Sequence, residues 1–313
     1  MNTPVVLTIF NRPADVRRVF DAIRAAKPKR LFVIGDAPRN EHDIPGIEAC
    51  KKIIEEVNWE CDVKKNYAET NMGPRLRLSS GISWVFEQVD RAIILEHDCL
   101  PDPSFFSYCE ELLERYKDDE RVMHIGGTNF HQKNPSFTVK DSYYFSIIPL
   151  VWGFATWARA WRHYDVDMKQ WPKVKESGQL KSIFKDPVVL ERWQHRFEQY
   201  YRGEAKSWDG QWAFACVINR GLCINPVVNL VTNIGFSKDA YTTKSVGNEL
   251  ADVPLKTIKF PLRHPTAIVP DHAAEAYIFT YVFDINRYPA QKVRWFFRSR
   301  FPALYGTLKR LLK

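Results

Sequence analysis

The sequence predicts an α/β protein with a mostly parallel sheet flanked by helices, and three observations carry that expectation. Through the first 125 residues, short apolar runs alternate with segments of helical periodicity. The connections between them are brief, as where the chain winds from one parallel strand to the next through a covering helix. Polar residues (Asn11-Arg12, Gly35-Asp36 and Glu96-His97-Asp98) directly follow the apolar runs, which gathers them on one edge of the sheet.

The first strand is Pro4–Phe10. Asn11-Arg12-Pro13 offers an N-cap with proline in the first turn, and Val16, Val19, Phe20 and Ile23 recur at helical spacing. A second strand, Leu31–Ile34, ends at Gly35-Asp36. Ile44, Ile47, Cys50, Ile53, Ile54 and Val57 mark the next helix, and Glu60–Lys65 reads as a third strand. After a polar loop, Asn66–Arg77, comes a helix carrying Ile82, Val85, Phe86 and Val89. Ala92–Leu95 is then a short buried strand that delivers Glu96-His97-Asp98 at its carboxyl end, and a Pro-Asp-Pro turn leads to a helix near Ser104. Acidic side chains presented there are candidates for a divalent cation and the phosphates it bridges, or for an ordinary acidic loop.

The second half is less regular. A strand in Val122–Asn129 breaks at Gly126-Gly127, which permits close backbone approach or a tight turn. Trp152, Trp157 and Trp161 keep no strict helical face, so they divide between core packing and flat surfaces suited to sugar rings. Trp171–Ser207 reads as helical and polar. In Ser207-Trp-Asp-Gly-Gln-Trp212, Asp209 sits between two tryptophans; apolar neighbours raise a carboxyl's pKa toward that of a general base, and a helix N-cap is the compatible structural role. Strand-like Ile224–Thr232 precedes Asn233–Asp239, whose composition suits a mobile loop over a site.

Composition narrows the possibilities. Of 313 residues, 45% are hydrophobic and 26% charged, an ordinary globular balance. No apolar run is long enough to span a bilayer, and the chain enters its first strand without a signal peptide's basic region, so a cytoplasmic location is expected. The six cysteines include no Cys-x-x-Cys pair and read as reduced, mostly buried thiols. The net charge of +8 equals the eight bases between Arg287 and Lys313, where there is no acid, so the first 286 residues are neutral. That argues against a broad nucleic-acid footprint, which needs basic residues spread over one face. Trp295, Phe296, Phe297, Phe301, Leu304, Tyr305, Leu308, Leu311 and Leu312 interleave with those bases, with Pro302 dividing two short helical pieces. Such a basic tail suits an anionic membrane surface, each base adding about 1 kcal/mol, or a C-terminal helix docked on the body with its bases in water; the membrane surface is favoured, and with it a location peripheral on the inner face of the membrane. The expected organisation is a nucleotide-binding half (1–125), an acceptor-binding and catalytic half of the same domain (126–286), and the tail (287–313).

No Gly-x-Gly-x-x-Gly follows strand one and no Walker A sequence occurs, so a phosphate must be held by side chains and a metal. Arg12 suits a diphosphate, and Asp36 can accept from a base or ribose. Together with Glu96 and Asp98 they describe a nucleotide-diphosphate pocket with a metal.

These motifs, in this order across Val5–Asp239, resemble glycosyltransferases of the GT-A fold, specifically the N-acetylglucosaminyltransferase I branch and its bacterial relatives. Phe10-Asn11-Arg12-Pro13 resembles that family's first-strand element on the nucleotide, and Gly35-Asp36 its uracil-facing aspartate. Ile93–Asp98 with Pro103-Ser-Phe-Phe106 resembles its metal motif and following helix, with His97 in place of the middle acid. Trp208-Asp209 resembles the tryptophan and catalytic-base aspartate. The resemblance implies a UDP-sugar donor, Mn2+ or Mg2+, and inversion at the anomeric carbon onto a glycan or lipid-linked acceptor. Asp98 would bind the metal and Asp209 would be the base. Arg12, Asp36, Glu96, His97, Trp152 and Gly153 would bind the donor. Two other readings share the sheet: a sugar-phosphate nucleotidyltransferase, which should carry a glycine-rich basic loop after strand one, and a membrane-associated binding or lytic protein with a degenerate pocket.

Overall fold

Strand β1 (Val5–Ile9) lies at the centre of the parallel half of the sheet, with β2 (Arg30–Gly35) on one side and β4 (Arg91–Glu96) on the other. The computed structural model describes residues 1–236, 250, 253–283 and 300–301. Outside β2 runs β3 (Asp62–Tyr67), also parallel. Beyond β4 the direction changes: β8 (Phe154–Trp157) is antiparallel to both β4 and β6 (Val122–Gly126), β9 (Leu222–Pro226) is parallel to β6, and β7 (Tyr143–Ser146) closes the edge antiparallel to β9. The main sheet therefore has the order β3-β2-β1-β4-β8-β6-β9-β7, mixed but mostly parallel. A separate ribbon pairs β5 (Cys99–Pro101) with β10 (Val231–Asn233).

Helices cover both faces. Val5, Leu7, Leu31, Val33, Ile93 and Leu95 pack on one side with α1 (Pro13–Ala26), α2 (Ile44–Ile54) and α4 (Ser104–Arg115). Their neighbours Val6, Phe32, Ile34, Ala92 and Ile94 pack on the other with α3 (Gly73–Phe86), the single turn α5 (Ala158–Trp161) and α8 (Asp209–Ile218). Alternate residues of one strand thus feed two cores, which is why these strands read as unbroken apolar runs. A third cluster joins α8 to α6 (Trp171–Ser177) and α7 (Pro187–Tyr201), and α9 (His272–Tyr281) lies beside β7.

The expected α/β class holds, and several local expectations are corrected. Arg12 rather than Asn11 is the N-cap of α1; the Asn11 amide instead donates to Asp43 Oδ1 at 2.6 Å. The third strand begins two residues later than expected, because its register is fixed by pairing Arg30 with Asp62. α3 starts at Gly73, inside the supposed loop, where Asp36 receives its backbone N–H groups. Gly178 in the left-handed region and the Asp186-Pro187 cap divide the expected long helical segment in two. Residues 227–230 likewise separate β9 from β10. The paired glycines serve packing: a side chain on Gly127 would collide with Val231 and Phe105.

All six cysteines are free, five buried and Cys61 partly so. Among the described residues no helix is long and apolar enough to cross a membrane. The basic tail, apart from Arg300 and Phe301, lies outside the described residues.

Candidate functional site

Because the chain lays down β1, β2 and β3 in one direction and then returns to place β4 on the other side of β1, a crevice opens at the carboxyl ends of β1 and β4. Ligands of open α/β sheets gather at such a switch point. Here the described residues form a cleft of about 840 Å³, bounded by Phe10, Asn11 and Arg12 after β1, Asp36 and Arg39 after β2, Glu96, His97 and Asp98 after β4, and Arg196, Tyr200, Trp208 and Asp209 from the helical layer. Trp152 also faces it.

Glu96 ends β4 and accepts a hydrogen bond from Trp208 Nε1 at 3.3 Å. Burial, reinforced by the Asp98 charge, pushes its carboxyl up to about 8. Asp98 lies two residues on, where the chain turns into β5, and its backbone carbonyl accepts from Ile234 N at 2.8 Å. Residues 233–236 are held tightly over it, since a Cβ on Gly235 would stand 2.8 Å from Asp98 Cβ and 2.9 Å from Cγ. Arg12 Nη1 donates to the Gly235 carbonyl at 3.1 Å. This part of the expected mobile loop is an anchored segment, while 237–239 lie outside the described residues. Asp15, one turn into α1, is 3.8 Å from Arg12 and has His97 and Asp98 among the charges acting on it; burial, more than Asp98, raises its pKa.

Asp36 is more committed than the sequence suggests. Its oxygens accept from Ala37 N (2.9 Å), Met72 N (3.0 Å), Gly73 N (2.8 Å) and Asn71 Nδ2 (3.3 Å), tying the end of β2 to the start of α3. Nearby, Asp43 grips the Arg39 guanidinium at 2.7 and 2.8 Å, while Arg39 lies over the Phe10 ring at 5.1 Å. The hydrogen bonds from Arg39 hold the Asp43 carboxyl down at about 2 despite its burial.

Asp209 is the first residue of α8, with Trp208 at the N-cap position, so it is inside the helix rather than its cap. It is not framed by tryptophan alone. Tyr200 donates its hydroxyl to Oδ1 at 3.0 Å and Arg196 Nη2 donates to Oδ2 at 3.2 Å. Trp157 and Trp161 are core; Trp152 is half-buried, edge-on to both Phe130 (5.4 Å) and Phe236 (5.6 Å). Gly153 adopts φ 64°, and a Cβ there would collide with Val231 and crowd Leu95.

The structure thus gathers Arg12, Asp36, Glu96, His97, Asp98, Trp152 and Asp209 around one cleft, while Gly153, next in sequence to Trp152, is not among its lining residues. Sequence reasoning missed Arg196, Tyr200, Asp15 and the Arg39–Asp43 pair. The four-residue spacing of Arg196 and Tyr200 on one helical face was the available signal.

Among the described residues no group of three or more His, Cys, Asp or Glu side chains could enclose a metal ion alone. Magnesium-type ions are ordinarily held by one or two carboxylates with water and substrate phosphates. Glu96 and Asp98, neighbouring carboxylates on the cleft floor, fit that donor set. A cation held there would favour the ionised form of both carboxylates.

No protein-family model matches the sequence, and no curated protein matches it. Among solved structures the chain is similar to residues 1–349 of S. aureus TarS, at 10% identity and a TM-score of 0.42, covering 74% of this chain and 60% of that one. It therefore spans about three fifths of that structure's length. The galactosyltransferase LgtC, in complex with donor and acceptor sugar analogues, matches at 12% identity and a TM-score of 0.36 over 92% of this chain and 98% of its own. UDP-glucose pyrophosphorylase complexed with UDP-glucose matches at 8% and 0.34, over 71% and 90%. These loose likenesses fix neither reaction nor substrate.

Proposed function

We propose that this chain is a metal-dependent, inverting GT-A glycosyltransferase of the N-acetylglucosaminyltransferase I type, moving a sugar from UDP to a hydroxyl of a glycan or lipid-linked acceptor. The observation that carries the reading is the meeting, in one cleft, of the Glu96–Asp98 carboxylates and a separately anchored Asp209, bridged by Trp208. Asp209 would take the proton of the acceptor hydroxyl as that oxygen bonds to the anomeric carbon. The bond from that carbon to the phosphate oxygen breaks, and its electron pair leaves with UDP. Arg12 would pair with the diphosphate, Asp36 would hold the wall beside the base, and Trp152 would offer its face to the sugar. A cation held by Asp98, with Glu96 acting through water, would supply charge neutralising the departing diphosphate.

In this reading 1–125 bind the donor, 126–286 bind the acceptor, and 287–313 hold the protein at the inner face of an anionic membrane, where lipid-linked acceptors of surface polysaccharide assembly lie. A nucleotidyltransferase is disfavoured because α1 begins at Pro13, leaving no room for a glycine-rich basic loop after β1.

Asp98→Ala and Asp209→Asn should each abolish transfer, but only Asp98→Ala should remove manganese-dependent UDP binding in calorimetry. Near-normal turnover by Asp209→Asn would end the base assignment. Silence of the unaltered protein both in calorimetry and in a hydrolysis screen of UDP-sugars would favour the membrane-binding alternative.

A further inference from the structure

The arrangement behind Asp209 is more elaborate than a helix start requires. Arg196 and Tyr200, one turn apart on α7, reach the same carboxylate, one on each oxygen. Tyr200 also exchanges a hydrogen bond with Ser207 at 2.9 Å and accepts one from Arg196 at 3.3 Å. The guanidinium is confined by rings: Trp193, Tyr200 and Phe283 lie 5.7, 5.5 and 5.7 Å from it. Its Nε is buried with no hydrogen-bond partner among the described residues, so the arginine is placed by the rings and by Asp209. The Tyr200 ring in turn lies against the α-carbon of Gly210, where any Cβ would collide with it.

We infer that Arg196 and Tyr200 are positioning residues that fix the orientation of the Asp209 carboxylate, ready to accept the acceptor's proton. The inference rests on the glycosyltransferase reading. With both oxygens held, the remaining lone pairs of Asp209 have defined directions, which is what a base needs to meet one hydroxyl rather than water at large. The charges facing Asp209 are Arg196 and Tyr200 from α7, Tyr164 from the segment after α5, and Glu96 from β4. Arg196 is the one cation in that set, so its removal takes away the charge that attracts the carboxylate and leaves the Tyr200 hydroxyl as its hydrogen-bond donor.

The test pairs kinetics with a titration that needs no turnover. In Arg196→Met the acidic limb of the kcat–pH profile should move up by about one to three pH units, with donor KM little changed. Arg196→Lys should recover part of the loss. Tyr200→Phe, which keeps the ring, should lose roughly ten- to a hundredfold in kcat near neutrality. The Asp209 carboxyl carbon, labelled with 13C and assigned by its absence in Asp209→Asn, should titrate higher in Arg196→Met by the same interval. A uniform loss at every pH with the limb in place, or an unshifted Asp209 titration, overturns the positioning role. No turnover of any UDP-sugar by the unaltered chain would instead sink the glycosyltransferase reading, and the carbon titration would still decide whether Arg196 sets the charge of Asp209.

Discussion

Asp98 and Gly235 are pressed together so closely that the glycine is part of the acidic site. A methyl group at 235 would fall within 3 Å of two Asp98 side-chain carbons, and the Arg12 hydrogen bond to the Gly235 carbonyl would be strained in the same movement. Overpacking of this kind ordinarily costs 1–3 kcal/mol, and here relief comes most readily by displacing the carboxylate. Gly235→Ala should therefore weaken manganese-dependent UDP binding by about tenfold or more while the protein still folds cooperatively. Calorimetry decides it, and unchanged affinity would mean that Asp98 is positioned from elsewhere. His97 occupies the middle of the acidic triplet and lies in the cleft with Asp15, a carboxylate brought from α1, among the charges around it.

At the scale of elements, Asp36 joins β2 to α3 by accepting backbone N–H groups from Met72 and Gly73, donors that the first turn of any helix leaves without internal partners. Asp36→Ala should cost about 1–3 kcal/mol in denaturant unfolding, and Asp36→Asn, with one acceptor oxygen left, a smaller part of that. A loss of UDP affinity without any loss of stability would instead make Asp36 a nucleotide contact. This anchor also marks where the sequence stops being readable. β1, β2 and β4 were legible because both faces are buried, and their trailing polar residues located the cleft. The partners of Asp36 are main-chain groups of residues 72 and 73, which no side-chain pattern reveals. Arg196 and Tyr200 were hidden for a different reason: on a helix rich in charge they look like a solvated face, and only the return of the chain at Trp208 brings them to Asp209. The break between β9 and β10 was obscured by apolar residues running through it.

For the molecule as a whole, two neutral histidines stitch its second half together, and they make stability depend on pH in a definable direction. His124 on β6 bonds the Leu150 carbonyl through Nε2 at 3.1 Å and accepts from Trp212 Nε1 at 3.2 Å, joining the sheet to α8. Burial drives its pKa down to about 3. His131, bonded to the Tyr144 hydroxyl at 3.1 Å and stacked on Phe137, is pushed by burial to about 4. In the unfolded chain both take up a proton near pH 6.5, so below that value the unfolded state binds more protons and stability falls with pH. Glu96, protonated in the fold up to about 8, acts in the opposite sense between about pH 4.5 and 8. The total slope therefore conceals the histidines, and a difference reveals them. Relative to His124→Gln, whose amide can still serve both partners, the unaltered protein should lose about 2 kcal/mol between pH 7 and pH 5. The gap in unfolding free energy from denaturant titrations at several pH values measures this. A gap that stays constant would mean that His124 is charged within the fold, and its bond to the Leu150 carbonyl would then have to be accompanied by a second donor contact at Nδ1 in place of the one from Trp212.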